Sequence, residues 1–307
     1  MNVIVTTTIN APTIALKKFA SLPGWKLVVI GDLKTPGHLY AEQLPEAVYL
    51  SPEQQMAKYP ELSEAIGWNC IQRRNLGFLV ALEMGAEIVG VVDDDNIPLD
   101  DSWGSNLLIG NPVEVDYYSA NGVFDPVGAT NYPQLWHRGF PIQVLTGRDY
   151  SMKTRRTVIP GIQADFWNGD PDIDAICRME HAPECEFDTS YFPMASGSFS
   201  PFNSQNTFIK ASLLKHYFLC PGIGRMDDIW AAYHLQANTG VQVVYNKPSV
   251  YQARNPHNLT VDMVNEFLGY EKTLSLIRDL RTKPTTALFD YVPDQAKKAF
   301  ELYQACF

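Results

Sequence analysis

The chain has 307 residues and a formal net charge of −10, with 46% apolar and 19% charged residues. This is ordinary for a soluble globular protein with a sizeable core, and the acidic balance excludes general nucleic-acid binding through a basic surface. A negatively charged ligand would need local cations or a metal to offset that field.

In chain order, Val3-Ile4-Val5 is a β-branched run that ends in Thr6-Thr7-Thr8, and a helical stretch follows from about Pro12 to Ala20. "WKLVVIGD" reads as a second buried strand that ends at Gly31-Asp32 and breaks at Pro36. Residues 61–84 carry apolar positions at helical spacing, with Gly85 as the cap. The apolar run 87–92 then ends on Asp93-Asp94-Asp95. Strand, helix, strand, helix, strand is the alternation of an α/β protein with a Rossmann-like, mostly parallel sheet. In such sheets the ligand sits beyond the carboxyl ends of the strands. Thr6 to Thr8, Asp32 and Asp93 to Asp95 should therefore share one rim.

Residues 97–210 are rich in Pro, Gly, Asn and aromatics, and read as long loops with a few strands. A helix is expected near 211–217, then the loop "CPGIGRMDD", a helix near 228–238 capped by Gly240, a strand "VQVVY", and helices from about Val261. No clean linker marks a second domain. The five cysteines show no CxxC spacing and read as reduced, mostly buried thiols. The first residues lack the pattern of a signal peptide, and no stretch approaches the ~20 apolar residues of a membrane span. The expectation is a cytoplasmic protein without a membrane span, in which the sequon at Asn258 carries no glycan.

Three adjacent carboxylates repel one another, the more so when buried. On a strand Asp93 and Asp95 would share a face and Asp94 would point away. Mg²⁺ or Mn²⁺ would relieve the repulsion, since a hard cation takes one or two carboxylates plus substrate phosphates. The bland reading is a solvated acidic turn. No Walker-type phosphate loop is present, and "GIGRMD" is not a GxGxxG fingerprint. This favours a nucleotide held through metal and side chains. Arg73 and Arg74 could grip a diphosphate, or form the polar face of a surface helix. Asp32 and Lys34 could contact base or phosphate, or serve the turn. Asp227 or Asp228 opens a helix as an N-cap, and the other could be a general base for an acceptor hydroxyl. His257 in "RNPHN" is a loop histidine that could complete a metal shell, and Arg254 could face phosphate.

The blocks "VVIGDLKTP", "RRNLGFLVALEMGAEIVGVVDDDN", "WHRGFPIQVL", "NGDPDIDAICRM", "PFNSQNTFIK", "GRMDDIWAAYHLQ" and "YQARNPHN" together resemble the STELLO-type glycosyltransferase-like family, in the expected order and over most of the chain. The resemblance implies a GT-A nucleotide-sugar transferase fold. It would form one domain over 1–307, with a nucleotide-sugar-binding half at 1–110 and a loop-rich acceptor half at 111–307. It implies nucleotide contacts from Thr7, Thr8, Asp32 and Arg74, a DxD-type metal motif at Asp93 to Asp95, and a base at Asp227 or Asp228. It also implies a late metal-binding histidine near His257, and places Asn203, Gln205 and Asp170 to Asp174 near the sugar. Plant STELLO proteins are Golgi membrane proteins linked to cellulose synthase assembly, and neither location nor partner is carried over. More distantly, "DDDN", "RGFP" and "GRMDDIWA" are similar to UDP-arabinopyranose mutases, in which Arg138 would match an arginine linked to self-glycosylation.

Shared fold does not decide the reaction. The leading expectation is a metal-dependent, inverting transferase that moves a sugar from a UDP-linked donor to a saccharide or other hydroxyl acceptor. A UDP-sugar mutase and a non-catalytic nucleotide-sugar-binding scaffold are the alternatives. Asp95 is favoured as the metal ligand, with Asp93 reaching the ion through water or touching the ribose. Nucleic acid is not an expected partner, and self-association into a homo-oligomer is left open.

Overall fold

The computed structural model describes residues 1–253 and 258–307. Its strands are β1 (Asn2–Thr8), β2 (Trp25–Gly31), β3 (Val48–Leu50), β4 (Ile88–Val92), β5 (Asn96–Pro98), β6 (Val113–Tyr118), β7 (Lys153–Val158), β8 (Ile162–Gly169), β9 (Met194–Ser196), β10 (Asn206–Lys210) and β11 (Val243–Gln252). The helices are α1 (Ile14–Ser21), α2 (Gly37–Gln43), α3 (Pro52–Lys58), α4 (Pro60–Ile66), α5 (Arg74–Glu83), α6 (Ala175–His181), α7 (Asp227–Thr239), α8 (Leu259–Leu280) and α9 (Asp294–Gln304). The α/β class stands. The described strands join one sheet in the order β3-β2-β1-β4-β10-β8-β11-β9-β6-β7, with β5 alongside β11.

β3, β2, β1 and β4 are parallel. Their central residues are apolar without alternation, and Val3 to Val5, Val28 to Ile30 and Val91 to Val92 are fully buried. Strands covered on both faces read this way. α5 lies against β1 and β2, and a side-chain carbon at Gly77 would run into Val5. Beyond β4 the directions mix. β10 runs antiparallel to β4 and β8, and β11 returns parallel to β8.

Several boundaries differ from the sequence expectation. The stretch 61–84 is two helices, because Gly67 (φ +85°) and Asn69 (φ 54°) turn the chain between α4 and α5. That break points residues 69–71 at the cleft described below. The expected helix near 211–217 is a 3₁₀ turn over Ala211–His216. β11 continues past Tyr245 through a bulge between Asn246 and Val250, where Pro248 lacks an N–H for the ladder. All five cysteines are unpaired, and three of them are buried. Among the described residues no helix is long and apolar enough to cross a membrane.

Candidate active site

The carboxyl ends of β1, β2 and β4 open on a cavity of about 310 Å³. It is lined by Thr7, Thr8, Asp32, Arg74 and Asp93 to Asp95, with the chain break at Asn69 to Ile71 as its outer wall. The shared rim expected from the strand order is therefore present. Thr7 is oriented by donating its hydroxyl to Ile30 O (2.9 Å). Asp32 is almost fully buried and accepts the N–H groups of Leu33 (2.7 Å) and Cys70 (3.1 Å).

The three aspartates are not equivalent. β4 ends at Val92, so the triplet forms a turn into β5 and strand alternation does not orient it. Asp94 faces only this first cavity, where Thr8 Oγ and Asn10 Nδ2 donate to its Oδ2. Asp93 and Asp95 border a second cavity as well. Asp93 Oδ1 accepts from Arg74 Nη2 (2.5 Å). Burial lifts the Asp93 carboxyl above its ordinary value even with that guanidinium beside it. Arg74 also donates to Ser204 O (2.8 Å), Ser204 Oγ (2.6 Å) and Val92 O (3.2 Å), while its buried Nε–H has no acceptor among the described residues.

The second cavity, of about 260 Å³, shares Ile71, Asp93 and Asp95 with the first and adds Arg138, Gln205, Arg225, Asp227, Asp228 and Gln252. Asp227 and Asp228 open α7, yet neither caps it, because the N-cap is Met226. Asp228 accepts from Arg138 Nη1 (2.9 Å) and Nη2 (3.0 Å) and from Ser204 N (3.0 Å). Arg138 in turn holds Asp172 through Nε (2.8 Å) and Nη2 (3.0 Å), and donates to Arg225 O. Asp227 has a single neutral side-chain donor, Gln72 Nε2 (2.7 Å). The two carboxylates are thus driven apart. Burial and the adjacent Asp228 push Asp227 up to about 7. Burial would also raise Asp228, but Arg138 outweighs it and holds Asp228 below the carboxylate range. Neighbouring acids whose environments separate them in this way mark acid and base roles.

Two expectations need correction. Arg73 does not face a ligand. It is fully buried, donates to Gln55 Oε1 (2.6 Å), Gly67 O (2.7 Å) and Ser63, and stacks on Trp68, so it fixes the junction of α3, α4 and α5. Lys34 is exposed on the turn after Asp32 and lines neither cavity. Arg254 and His257 lie outside the described residues. The chain reaches them from Ala253, whose N–H donates to Asp95 O (3.4 Å). Gln72, Ser204 and Gln252 were not singled out in the sequence, since each sits in an otherwise unremarked polar position. Within "NGDPDID", Asp170 pairs with Arg178, Asp172 clamps Arg138, and Asp174 caps α6.

Among the described residues no group of three His, Cys, Asp or Glu side chains stands ready to hold a metal ion. The acidic turn offers two carboxylates, Asp93 and Asp95, to both cavities. Two hard oxygen donors on the rim shared by both cavities fit a divalent cation that takes the rest of its shell from phosphate and water.

No family model matches the chain. It is 25% identical over 273 residues to the probable glycosyltransferase STELLO2 of Arabidopsis thaliana, covering 81% of this chain and 35% of that protein. Against STELLO1 of the same plant it is 25% identical over 252 residues, covering 75% and 32%. The chain spans about a third of the length of these curated relatives, and the resemblance read from the motifs stands. Among solved structures it is similar to glucosyl-3-phosphoglycerate synthase from Mycobacterium tuberculosis in complex with Mn²⁺ and UDP-glucose. There the identity is 12%, the coverage 90% of this chain and 79% of that one, and the TM-score 0.49. It is also similar to the mannosyltransferase PcManGT from Pyrobaculum calidifontis in complex with GDP-Man and Mn²⁺, at 12% identity, 98% and 73% coverage and a TM-score of 0.43.

Proposed function

We propose that the chain is a metal-dependent glycosyltransferase of the GT-A type, moving a sugar from a nucleoside-diphosphate donor, UDP-linked, to an acceptor hydroxyl. The observation that carries this reading is one cleft made of two cavities that meet at Asp93 and Asp95. On one side stand strand-end threonines, Asp32 and the Arg74 guanidinium; on the other stands a pair of carboxylates of opposite proton affinity. The similarity to STELLO glycosyltransferases supports it.

In this reading the nucleotide occupies the first cavity, with Thr7, Thr8 and Asp32 around it and the Arg74 guanidinium in its wall. Asp93 and Asp95 would hold Mn²⁺ or Mg²⁺, with His257 as a further ligand; the bound ion would neutralise charge on the departing diphosphate. Asp227 is the general base. Its raised proton affinity suits removal of a hydroxyl proton near neutral pH, and Gln72 orients it without adding charge. Asp228, ionised and clamped by Arg138 and Ser204, holds the start of α7 in place. With Asp228 committed to Arg138 and Ser204, one carboxylate is left to act as base, as a single-displacement, inverting transfer needs.

Arg138 weighs against the mutase alternative. Its Nε, Nη1 and Nη2 are all engaged with Asp172, Asp228 and Arg225 O, and two carboxylates hold it protonated. A nitrogen that attacks a sugar carbon needs a lone pair, and this arrangement withholds it. The test is incubation with a panel of nucleotide sugars and hydroxyl acceptors, with and without Mn²⁺, reading release of the nucleoside diphosphate. Metal-dependent release is expected. Absence of binding of any nucleoside diphosphate by calorimetry would overturn the reading.

A further inference from the structure

Ser204 precedes β10 by two residues, is 1% exposed and borders the second cavity. Its Oγ and its main-chain O both accept from Arg74 Nη1 (2.6 and 2.8 Å). Its N–H and its Oγ both donate to Asp228 Oδ2 (3.0 and 3.2 Å). Chemistry fixes the direction of each bond, since a guanidinium has no acceptor and an ionised carboxylate has no donor. The hydroxyl therefore receives from Arg74 and gives to Asp228, and each of its bonds strengthens the other. Beyond Arg74 stands Asp93 (2.5 Å), and beyond Asp228 stands Arg138 (2.9 Å). Charges thus alternate from the acidic turn to the start of α7, with Ser204 between the inner pair.

A second contact defines what this bridge does. Gln72 Nε2 donates to Asp227 Oδ2 (2.7 Å), and Gln72 and Arg74 flank Arg73 at the entry to α5. The start of α7 is therefore tied to one short segment at two points: Asp227 through Gln72, and Asp228 through Ser204 to Arg74. A single attachment would leave a rotation open, and the second removes it. The residues on either side brace the bridge. Asn203 Nδ2 donates to Asp172 Oδ2 (2.8 Å), while Gln205 O accepts from Asp93 N (3.3 Å) and Asn96 Nδ2 (2.7 Å). Misplacing reacting groups by about 1 Å costs on the order of a hundredfold in rate, so a transfer that uses both Asp227 and the acidic turn depends on the spacing between them.

Resting on the transferase reading, we infer that Ser204 is a positioning residue for the transfer: its hydroxyl joins Arg74 to Asp228 and so holds Asp227 at a fixed distance and angle from the acidic turn. It acts through Asp227 and touches no reacting atom. Its loss slows the transfer step and leaves nucleotide binding in place, because Arg74 keeps Asp93, Val92 O and Ser204 O as partners.

Steady-state kinetics of the full chain in Mn²⁺, with the nucleotide sugar and acceptor it turns over, test this on Ser204→Ala, Ser204→Thr and Ser204→Val, beside calorimetry of the bare nucleoside diphosphate. Ser204→Ala should lower kcat by about tenfold and change donor KM and diphosphate affinity by less than about twofold. Threonine and valine share a shape and differ in the hydroxyl. Ser204→Thr should exceed Ser204→Val in kcat by at least about fivefold, a difference that crowding alone does not produce. Without metal or nucleotide, Ser204→Ala and Arg74→Met should be coupled in urea unfolding, the double variant raising the unfolding constant by at least about threefold less than the product of the two single effects. Parent kcat in Ser204→Ala, equal kcat in the threonine and valine variants, a loss confined to KM, or an additive double variant overturns the inference and leaves the transferase reading intact. An unfolded Ser204→Ala overturns it too, since the hydroxyl would then serve folding. If no nucleotide sugar is turned over, the transferase reading falls and this one with it.

Discussion

The two cavities at the acidic turn differ in origin and in what they lack. The first is assembled from residues 7–95, at the ends of strands that follow one another in the parallel half of the sheet. The second draws on Arg138, Gln205, Asp227, Asp228 and Gln252, which come from four separate places in the mixed half. Among the described residues, the wall of the first buries a guanidinium N–H without an acceptor, and the wall of the second buries amide oxygens without donors. Only Ile71, Asp93 and Asp95 belong to both walls.

The harshest way to break this contrast is at the shared turn. Asp95→Asn, or removal of metal with a chelator, should reduce nucleoside-diphosphate release by about a thousandfold, and added Mn²⁺ should restore the chelated protein but not the variant. Retention of a tenth or more of the activity by Asp95→Asn would show that the turn is not where the halves meet.

Asp227→Asn acts on the second cavity alone. It should lower kcat by about a hundredfold to a thousandfold while calorimetry shows nucleotide affinity unchanged. In the unaltered chain the rate should climb as pH rises through about 7, where burial and Asp228 place the Asp227 carboxyl. Stability runs the other way. Between about pH 4 and pH 7 the folded protein keeps a proton that the unfolded chain has released, so stability falls as pH rises across that window. Asparagine cannot ionise. Asp227→Asn should therefore be more stable than the parent above pH 7, by on the order of 1–3 kcal/mol in urea unfolding, and lose that advantage near pH 4. A less stable variant at pH 8 would mean that the carboxylate is ionised at little cost, and its role as base would need another physical cause.

The same division explains what could be read from the sequence. Buried parallel strands announce themselves as apolar runs, so β1, β2 and β4 and the rim at Thr7, Thr8, Asp32 and Asp93 to Asp95 were legible. β3, three half-buried residues, left too weak a pattern. The break at Gly67 to Cys70 was hidden because the apolar positions keep helical spacing across it. In the second half Asp227 and Asp228 stood out as carboxylates behind a glycine-rich loop. Their division of labour depends on Arg138, 89 and 90 positions away, and on Gln72. No local pattern encodes such a pairing.

Arg138 connects the second cavity to the core, and its loss should be felt as stability. Arg138→Met removes the guanidinium that bridges the buried Asp172 and Asp228, at a cost of about 3–5 kcal/mol in chemical unfolding. If the chain remains foldable, Arg138→Lys should recover part of the stability but not the paired contacts to both carboxylates. A mutase that uses Arg138 as its nucleophile predicts that activity is abolished in Arg138→Lys even where stability is recovered.

The finest test compares adjacent residues. Arg73 and Arg74 share a type, a helix start and near-complete burial, yet Arg73 is tied to Gln55, Ser63 and Gly67, and Arg74 to Asp93 and Ser204 at the cavity wall. Arg74→Met should weaken nucleoside-diphosphate binding by about tenfold, the effect of one charge-assisted hydrogen bond. Arg73→Met should lower Tm and change that affinity by less than about twofold, and Lys34→Ala should change neither. A loss of affinity in Arg73→Met equal to that in Arg74→Met, with the fold intact by circular dichroism, would mean that the nucleotide reaches past Asn69 to Ile71 toward α4. The wall that separates a phosphate side from a sugar side would then lie elsewhere than at the acidic turn.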